Sequence, residues 1–452
     1  MSARADNVGL LVLLPPGHQA RHYLLALHRA AERLGLRSRV VEIDRLREQL
    51  TRATNTQSAV VRLTQTLRGL VQAHRATHVL GYVTAGTVDL GLIATAQGPR
   101  TLWSTLGLQQ IILWTDHPNW AASGLALEAH VRQALADPLV HHWLKSESAA
   151  EEARAVLRWP NIFSMPMAED YEHLQPPERC HCLHDVVTIV GSLAPLPEPV
   201  RRLLDRDDPD PQAIDRAMIP QVLTRWSERI ADLAPMPDAL RRFAADLLEA
   251  RADEPAATVW QLTVRLEPRH SPCVEWLTAD PKRWYEAEAI LRQASAWRRS
   301  FWTAWLARRV NLGVYGCPAI DLGIDQPRGA DQWVAYDRQP AVYCLGRCAL
   351  NINQSHDQAG ATHKPFQIAA SGVPCVHHAT SELTELFTPG LEIVTFTRGP
   401  ELLAWVDRLC AEPHLRQTIA TRALERARRQ HTWEHRLTTM LGLAQPDHAF
   451  AA

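Results

Sequence analysis

Residues 350–387, LNINQSHDQAGATHKPFQIAASGVPCVHHATSELTELF, constrain the fold more than any other stretch of the chain. An apolar strand runs into polar residues, and a Gly-containing loop carries His363 and Lys364. A short helix follows, and a Gly-Val-Pro break leads to a second strand and another helix. Elements in that order bring a helix N-terminus, with its unpaired N–H groups and partial positive charge, to the carboxyl edge of a parallel sheet. Phosphates and other anions are held at such edges.

A chain of 452 residues exceeds one ordinary core and predicts two domains. Apolar runs at 8–14, 40–43, 78–83 and 111–114 alternate with amphipathic segments, the pattern of a doubly wound α/β sheet. Leu24, Leu27, Ala31 and Leu34 share one helical face, closed by Gly35; Val60, Leu63, Leu67 and Leu70 share another. The run at 111–114 enters a polar turn, Thr115-Asp116-His117-Pro118-Asn119-Trp120, where an open sheet keeps its reactive groups. Strands at 139–143 and 161–165 flank a helix for which Ser148 and Glu151 form a capping box.

These segments predict a first domain over 1–168, a Pro-, Glu- and His-rich linker over 169–185, and a second domain over 186–430. The second domain opens with a strand that ends at Gly191 and Ser192, takes a helical insertion at about 197–309, and resumes its sheet before Gly316. A C-terminal helix and tail occupy 431–452.

A formal net charge of −1 argues against a dedicated nucleic-acid binder, which would carry a basic excess. No apolar run approaches the about 20 residues of a membrane span, and the first seven residues do not read as a secretory leader. A cytoplasmic location is expected, with the eight scattered cysteines as reduced thiols. Only three of the 48 basic residues are lysines, so Lys364 stands out by position.

Neither a metal nor a cofactor is expected. Cys180, His181, Cys182 and His184 are too tightly spaced for a zinc knuckle, and Asp207-Asp208-Pro209-Asp210 lies in a Pro-rich, solvated loop. Trp226, Trp260, Trp276, Trp284, Trp297, Trp302 and Trp305 fall in the insertion, and packing of short helices outweighs an acceptor platform. Cys344 and Cys348, a turn apart on a predicted helix, read as core. His18 and His22 follow the first strand in a loop, within reach of a phosphate or acceptor; surface helix histidines are the plainer reading.

Six motifs together carry a family likeness. They are Asp185-Val-Val-Thr-Ile-Val-Gly-Ser192, Asn311-Leu-Gly-Val-Tyr-Gly316, Leu350-Asn-Ile, Lys364-Pro-Phe-Gln-Ile-Ala-Ala-Ser-Gly-Val-Pro374, Glu382-Leu-Thr-Glu-Leu-Phe-Thr-Pro-Gly390 and His431-Thr-Trp-Glu-His-Arg436. In that order they resemble the carboxyl domain of spore-maturation CgeB-like glycosyltransferases, and Trp114-Thr-Asp-His-Pro118 resembles that family's Asp-Pro loop. The resemblance implies GT-B architecture: two facing Rossmann-like domains, the second holding a nucleoside diphosphate sugar and the first an acceptor. It places the donor diphosphate near Gly191, Ser192 and the loop from Ala361 to Lys364, which holds Thr362 and His363, with Gly316 as a further substrate-binding candidate. Gln367 stands where the family has a ribose-binding glutamate, and Ala359 replaces the acid eight residues earlier. Glu385 matches a family position that meets the sugar or ribose, with Glu382 beside it; helix-end charge complementarity is the alternative for both.

Transfer to a glycan or protein hydroxyl needs a base, and Asp116, then His117, are the candidates after the buried strand. In the competing reading Asp116 caps the next helix and His117 packs on Trp120. A catalytically silent sugar-nucleotide-binding or assembly module and a sugar-nucleotide epimerase are the alternative functions. The sequence leaves the oligomeric state open.

Overall fold

The computed structural model describes residues 7–443 apart from 52–55, 117, 119–126, 175–180, 231–233, 320–321, 328 and 354–358. His117, Trp120 and Cys180 therefore lie outside the described residues, and with them the expectations made for these three. The chain divides into two compact units, residues 1–170 with 430–452, and residues 171–429.

The first unit is built on a six-stranded sheet of order β2-β1-β3-β6-β7-β8, parallel throughout. Its strands are β1 (Gly9–Leu14), β2 (Arg37–Glu42), β3 (His78–Tyr82), β6 (Gln109–Trp114), β7 (Val140–Leu144) and β8 (Ile162–Ser164). An antiparallel hairpin, β4 (Leu92–Thr95) with β5 (Gly98–Thr101), interrupts the alternation. Helices α1 (His18–Arg33), α2 (Ile43–Thr51), α3 (Thr56–His74), α4 (Leu102–Thr105), α5 (Ala129–Leu135) and α6 (Glu147–Leu157) connect the strands. Every residue of β1 is buried, as expected of a central parallel strand covered on both faces.

Two local expectations for this unit are corrected. His18 and His22 are not in a loop: α1 starts directly after Gly17, and His22 turns its Nε2 to Glu169 Oε1 at 3.0 Å. Ser146, not Ser148, caps α6, accepting from the Ala149 N–H at 3.2 Å, and Ser148 is buried in the first turn. Glu169 and Asp170, at the start of the segment read as a linker, are buried.

The chain's end returns to this unit. Helix α18 (Trp433–Met440, numbered after α7–α17 of the second unit) sets Trp433 6.0 Å from Tyr23. Arg436 donates to the carbonyls of Pro166 at 2.7 Å and Met167 at 3.0 Å, while Arg29 and Arg33 pair with Asp170 at 2.6 and 3.1 Å. Charged groups out of water need such partners, so they fix where the segment docks.

The second unit has a five-stranded parallel sheet of order β10-β9-β11-β12-β13. Its strands are β9 (His184–Ile189), β10 (Leu312–Tyr315), β11 (Gly346–Asn351), β12 (Cys375–His378) and β13 (Val394–Phe396). Between β9 and β10 lies a helical insertion: α7 (Glu198–Arg201), α8 (Pro211–Arg229), α9 (Pro237–Asp253), α10 (Val259–Thr278), α11 (Pro281–Leu291) and α12 (Gln293–Ala307). After β10 follow α13 (Gln339–Tyr343), α14 (Lys364–Ser371), α15 (Leu383–Leu386), α16 (Gly399–Ala411) and α17 (Pro413–Gln430).

Trp226, Trp284, Trp297, Trp302 and Trp305 are buried, so packing is what most of the insertion's tryptophans do. Cys344 and Cys348 do not share a helix: Cys344 follows α13 and Cys348 lies in β11. Both are nonetheless core. Among the described residues no helix is long and apolar enough to cross a membrane.

His142 on β7 carries a pH dependence. It is fully buried, with Nδ1 accepting from the Trp114 indole at 3.1 Å and Nε2 donating to the Leu135 carbonyl at 2.9 Å. Burial pushes its pKa down to about 3 from an ordinary 6.5. The unfolded chain therefore binds a proton that the folded chain refuses, so stability is complete above about pH 6.5 and is lost as pH falls toward about 3. We expect a slope approaching about 1.4 kcal/mol per pH unit from this residue within that window. Urea unfolding at pH 7, 6, 5 and 4 should show a shallower decline for His142→Gln; parallel declines would remove His142 as the cause.

Candidate functional site

Parallel strands end at a common edge, and in the second unit the carboxyl ends of β9, β10 and β11 bring distant residues together. After β9 come Gly191 and Ser192, after β10 Gly316 and Cys317, and after β11 the loop that leads into α14. Lys364, the first residue of α14, is buried and donates from Nζ to the Ile189 carbonyl at the end of β9. Gly316 has φ +93°, and a Cβ there would sit 2.8 Å from the Val190 carbonyl oxygen. The structure thus gathers Gly191, Ser192, Gly316 and Lys364 at one place.

Arg299 joins them and was not anticipated. It reaches over from α12 and donates from Nη2 to the Ser192 Oγ at 2.8 Å and to the Ser192 carbonyl. The next residue, Ser300, accepts from the Ala194 N–H at 2.8 Å, so the turn after β9 is held along its length. Burial pushes the Cys317 thiol up, while the charges of Arg299 and Lys364 and the Leu193 N–H oppose the rise. Both cations therefore act on one spot. Nothing in the local sequence marks Arg299, one arginine among 45.

The start of α14 differs from a bare helix end. Thr362 Oγ1 accepts from the Lys364 N–H at 3.3 Å, Pro365 has no N–H, and the Phe366 N–H bonds the His363 carbonyl at 3.2 Å. An anion here would meet side chains rather than the row of free backbone donors expected from sequence. Gln367 departs further. It is fully buried, and neither its amide nitrogen nor its amide oxygen has a hydrogen-bond partner. In this structure it is closed to any ribose.

The loop before α14 has two distinct ends. At one, the Ala359 carbonyl accepts from the Glu382 N–H at 3.0 Å and the Gly360 carbonyl from Thr380 Oγ1 at 3.4 Å. At the other, the ring of His363 lies 4.9 Å from Tyr336, which is 5.9 Å from Trp333. Thr380 also lines a cavity of about 660 Å³ at the ends of β12 and β13. Asp210, Pro211 and Gln212 of the insertion, Pro255, Ala256 and Arg298, and His378, Ala379, Ser381, Thr384, Thr397 and Arg398 complete its walls. Burial, then the charges of Arg298 and His377, push His378 down to about 3, so its imidazole is neutral. Glu382 is half-buried, and Glu385 is exposed on α15.

In the first unit, Asp116 occupies the turn after β6, half-buried, with Oδ1 4.0 Å from Nζ of the buried Lys145. Lys145, one of the three lysines, was not anticipated as its partner. His18 opens α1 in the same unit.

Among the described residues no group of three or more His, Cys, Asp or Glu could hold a metal. His184 instead contacts Asn311 Oδ1 at 3.0 Å and the Tyr315 hydroxyl at 3.1 Å. Asp208 pairs with Arg398 at 2.6 Å, and Asp210 caps α8 by accepting from the Gln212 N–H at 3.1 Å.

Residues 292–442 match the model of the glycosyl transferase-like family, a stretch that contains β10 to β13 and the loop around Lys364. This part of the chain is a glycosyltransferase-type domain. A search among curated proteins gives no match. Among solved structures the chain is similar to a glycosyltransferase from Rickettsia africae (8% identity, 96% of this chain and 97% of that one, TM-score 0.42). It is also similar to a sucrose-phosphate synthase from Thermosynechococcus elongatus (12%, 96% and 94%, TM-score 0.40). A third is Anabaena Alr3699/HepE in complex with UDP and glucose (10%, 96% and 98%, TM-score 0.42). Likeness at this level carries no chemistry over to this chain.

The crowding at Gly316 gives a direct test. Gly316→Ala forces a Cβ into a left-handed conformation and onto the Val190 carbonyl, at an expected cost of about 1–3 kcal/mol. Gly191→Ala, with open space around its Cβ, should cost far less. Equal denaturation midpoints for the two variants would show that the turns after β9 and β10 do not interlock.

Proposed function

We propose that this glycosyltransferase takes its sugar from a nucleoside diphosphate donor at the carboxyl edge of the second sheet. It passes the sugar, without a bound metal, to a hydroxyl of a glycan or protein in the cytoplasm. The CgeB-like type that the carboxyl motifs resemble is part of this proposal.

The observation that carries the reading is the convergence of two buried cations on the end of β9 and the turn just after it, Lys364 at the Ile189 carbonyl and Arg299 at Ser192. Glycosyl transfer requires the leaving diphosphate to be stabilised, and cations held out of bulk water do this more strongly than exposed ones. Lysine supplies a point charge and arginine a planar fork, both suited to phosphate oxygens. The cavity at the ends of β12 and β13 suits the sugar: its arginines are already paired with Asp215 and Asp208, and it is lined by hydroxyls. Asp116 is the proposed base that takes the acceptor's proton, with Lys145 beside it.

Ligand-induced thermal shifts test the donor. A nucleoside diphosphate or its sugar at a hundred times its dissociation constant should stabilise the protein by about 2.7 kcal/mol. Lys364→Met, which keeps the buried stem, should erase that shift; a shift that persists would take Lys364 out of the diphosphate site. A wild-type protein shifted by no nucleoside diphosphate would overturn the donor reading.

Asp116→Asn separates binding from chemistry. The donor-induced shift should remain, while sugar release to an acceptor or to water falls by at least about a hundredfold. Rates close to wild type would dismiss Asp116 as the base. Donor binding with no turnover in the wild type would favour the silent module, and release of a C2-epimerised sugar would favour the epimerase.

A further inference from the structure

We propose that Trp333 is the stacking face for the nucleobase of the donor, an inference that rests on the nucleoside diphosphate reading above. Trp333 is 53% exposed and is the one exposed tryptophan among the described residues. An indole only half withdrawn from water forgoes part of the burial that stabilises the buried tryptophans of the insertion, and Trp, with its large flat face, is enriched at binding interfaces. Its neighbours tie it to the phosphate loop: Trp333 lies 5.9 Å from Tyr336, and Tyr336 lies 4.9 Å from His363, the residue before Lys364.

The two ends of the loop divide the work. A nucleoside diphosphate sugar is a linear molecule, with a flat base at one end, a polyhydroxylated ring at the other and the diphosphate between. Through Ala359 and Gly360 the loop is bonded to Glu382 and Thr380, and Thr380 lines the cavity. Among the described residues of the cavity's walls the only aromatic ring is His378, so it offers a base little to stack on, whereas its hydroxyls, neutral imidazole and paired arginines can both donate to and accept from a sugar. Through His363 the loop meets the aromatic row. The base therefore goes to Trp333, and the closure of Gln367 to solvent makes this row the nucleoside's main hold.

The test is calorimetric titration of the full chain with UDP, ADP, GDP and inorganic pyrophosphate, for wild type, Trp333→Ala and Trp333→Phe. Stacking of a base on an aromatic side chain predicts that Trp333→Ala weakens the tightest nucleoside diphosphate by about ten- to a hundredfold. Trp333→Phe should recover most of that loss, and pyrophosphate should bind all three proteins alike. Unchanged nucleotide affinity in Trp333→Ala would overturn the stacking role and leave the donor reading intact. Equal losses for pyrophosphate and nucleotide would overturn it too, by making Trp333 a support for the phosphate loop. Failure of the wild type to bind any of the three nucleotides would overturn both.

Discussion

The Lys364 ammonium bonded to the Ile189 carbonyl is the contact on which the edge of the second sheet depends. Removing an ammonium from water costs several kcal/mol unless strong acceptors replace its hydration, and the start of α14 is electrostatically the wrong end of a helix for a cation. The carbonyl at the end of β9 offsets part of this cost. The strand after which Gly191 and Ser192 turn is thereby tied to the helix that β11 feeds, and the spacing of two loops far apart in sequence is set by one side chain. Under the proposed function, an approaching phosphate would exchange this carbonyl partner of Lys364 for an anionic one.

The helical insertion serves the same edge. Arg298 and Arg299 are consecutive on α12, so their side chains leave the helix about 100° apart. Arg298 pairs with the buried Asp215 of α8, beside Arg251 and the Arg292–Glu288 pair. Arg299 points to Ser192. Breaking one partner of a buried ion pair costs about 3–5 kcal/mol, so this cluster holds α12 firmly against the other insertion helices. That anchoring fixes where Arg299 arrives, and an insertion that adds no strand to the sheet still positions a cation in its site.

Much of this was legible in the sequence, for identifiable reasons. Parallel strands buried on both faces are continuous apolar runs, so β1, β3, β6 and β9 declare themselves; the loop into α14 does so through Lys364, Pro365 and the break at Gly372, which has φ +75°. The edge strand β2, RSRVVE, has its apolar pair only at its end and reads as shorter than it is. The hairpin of β4 and β5 has four-residue strands with too little pattern to read. Arg299 lies 107 residues from Ser192 and Trp333 sits in an irregular loop, so only the tertiary fold shows what they approach. The return of α18 to the first unit is likewise a matter of partners, Arg436 with Pro166 and Met167, which no local periodicity encodes.

Gln367 shows how burial changes the meaning of a substitution. Against the family pattern, glutamine in place of glutamate reads as a lost charge-assisted bond to ribose. In the folded chain the position has no contact with solvent and no hydrogen-bond partner for either amide atom, which already costs about 1–3 kcal/mol per group. A carboxylate under the same packing would be desolvated without compensation and driven to take up a proton, so it would arrive neutral in any case. Glutamine is thus the residue this packing tolerates. Under the proposed function the nucleoside's binding energy comes from groups that solvent and ligand can reach, and Trp333, joined to this loop through Tyr336 and His363, is such a group.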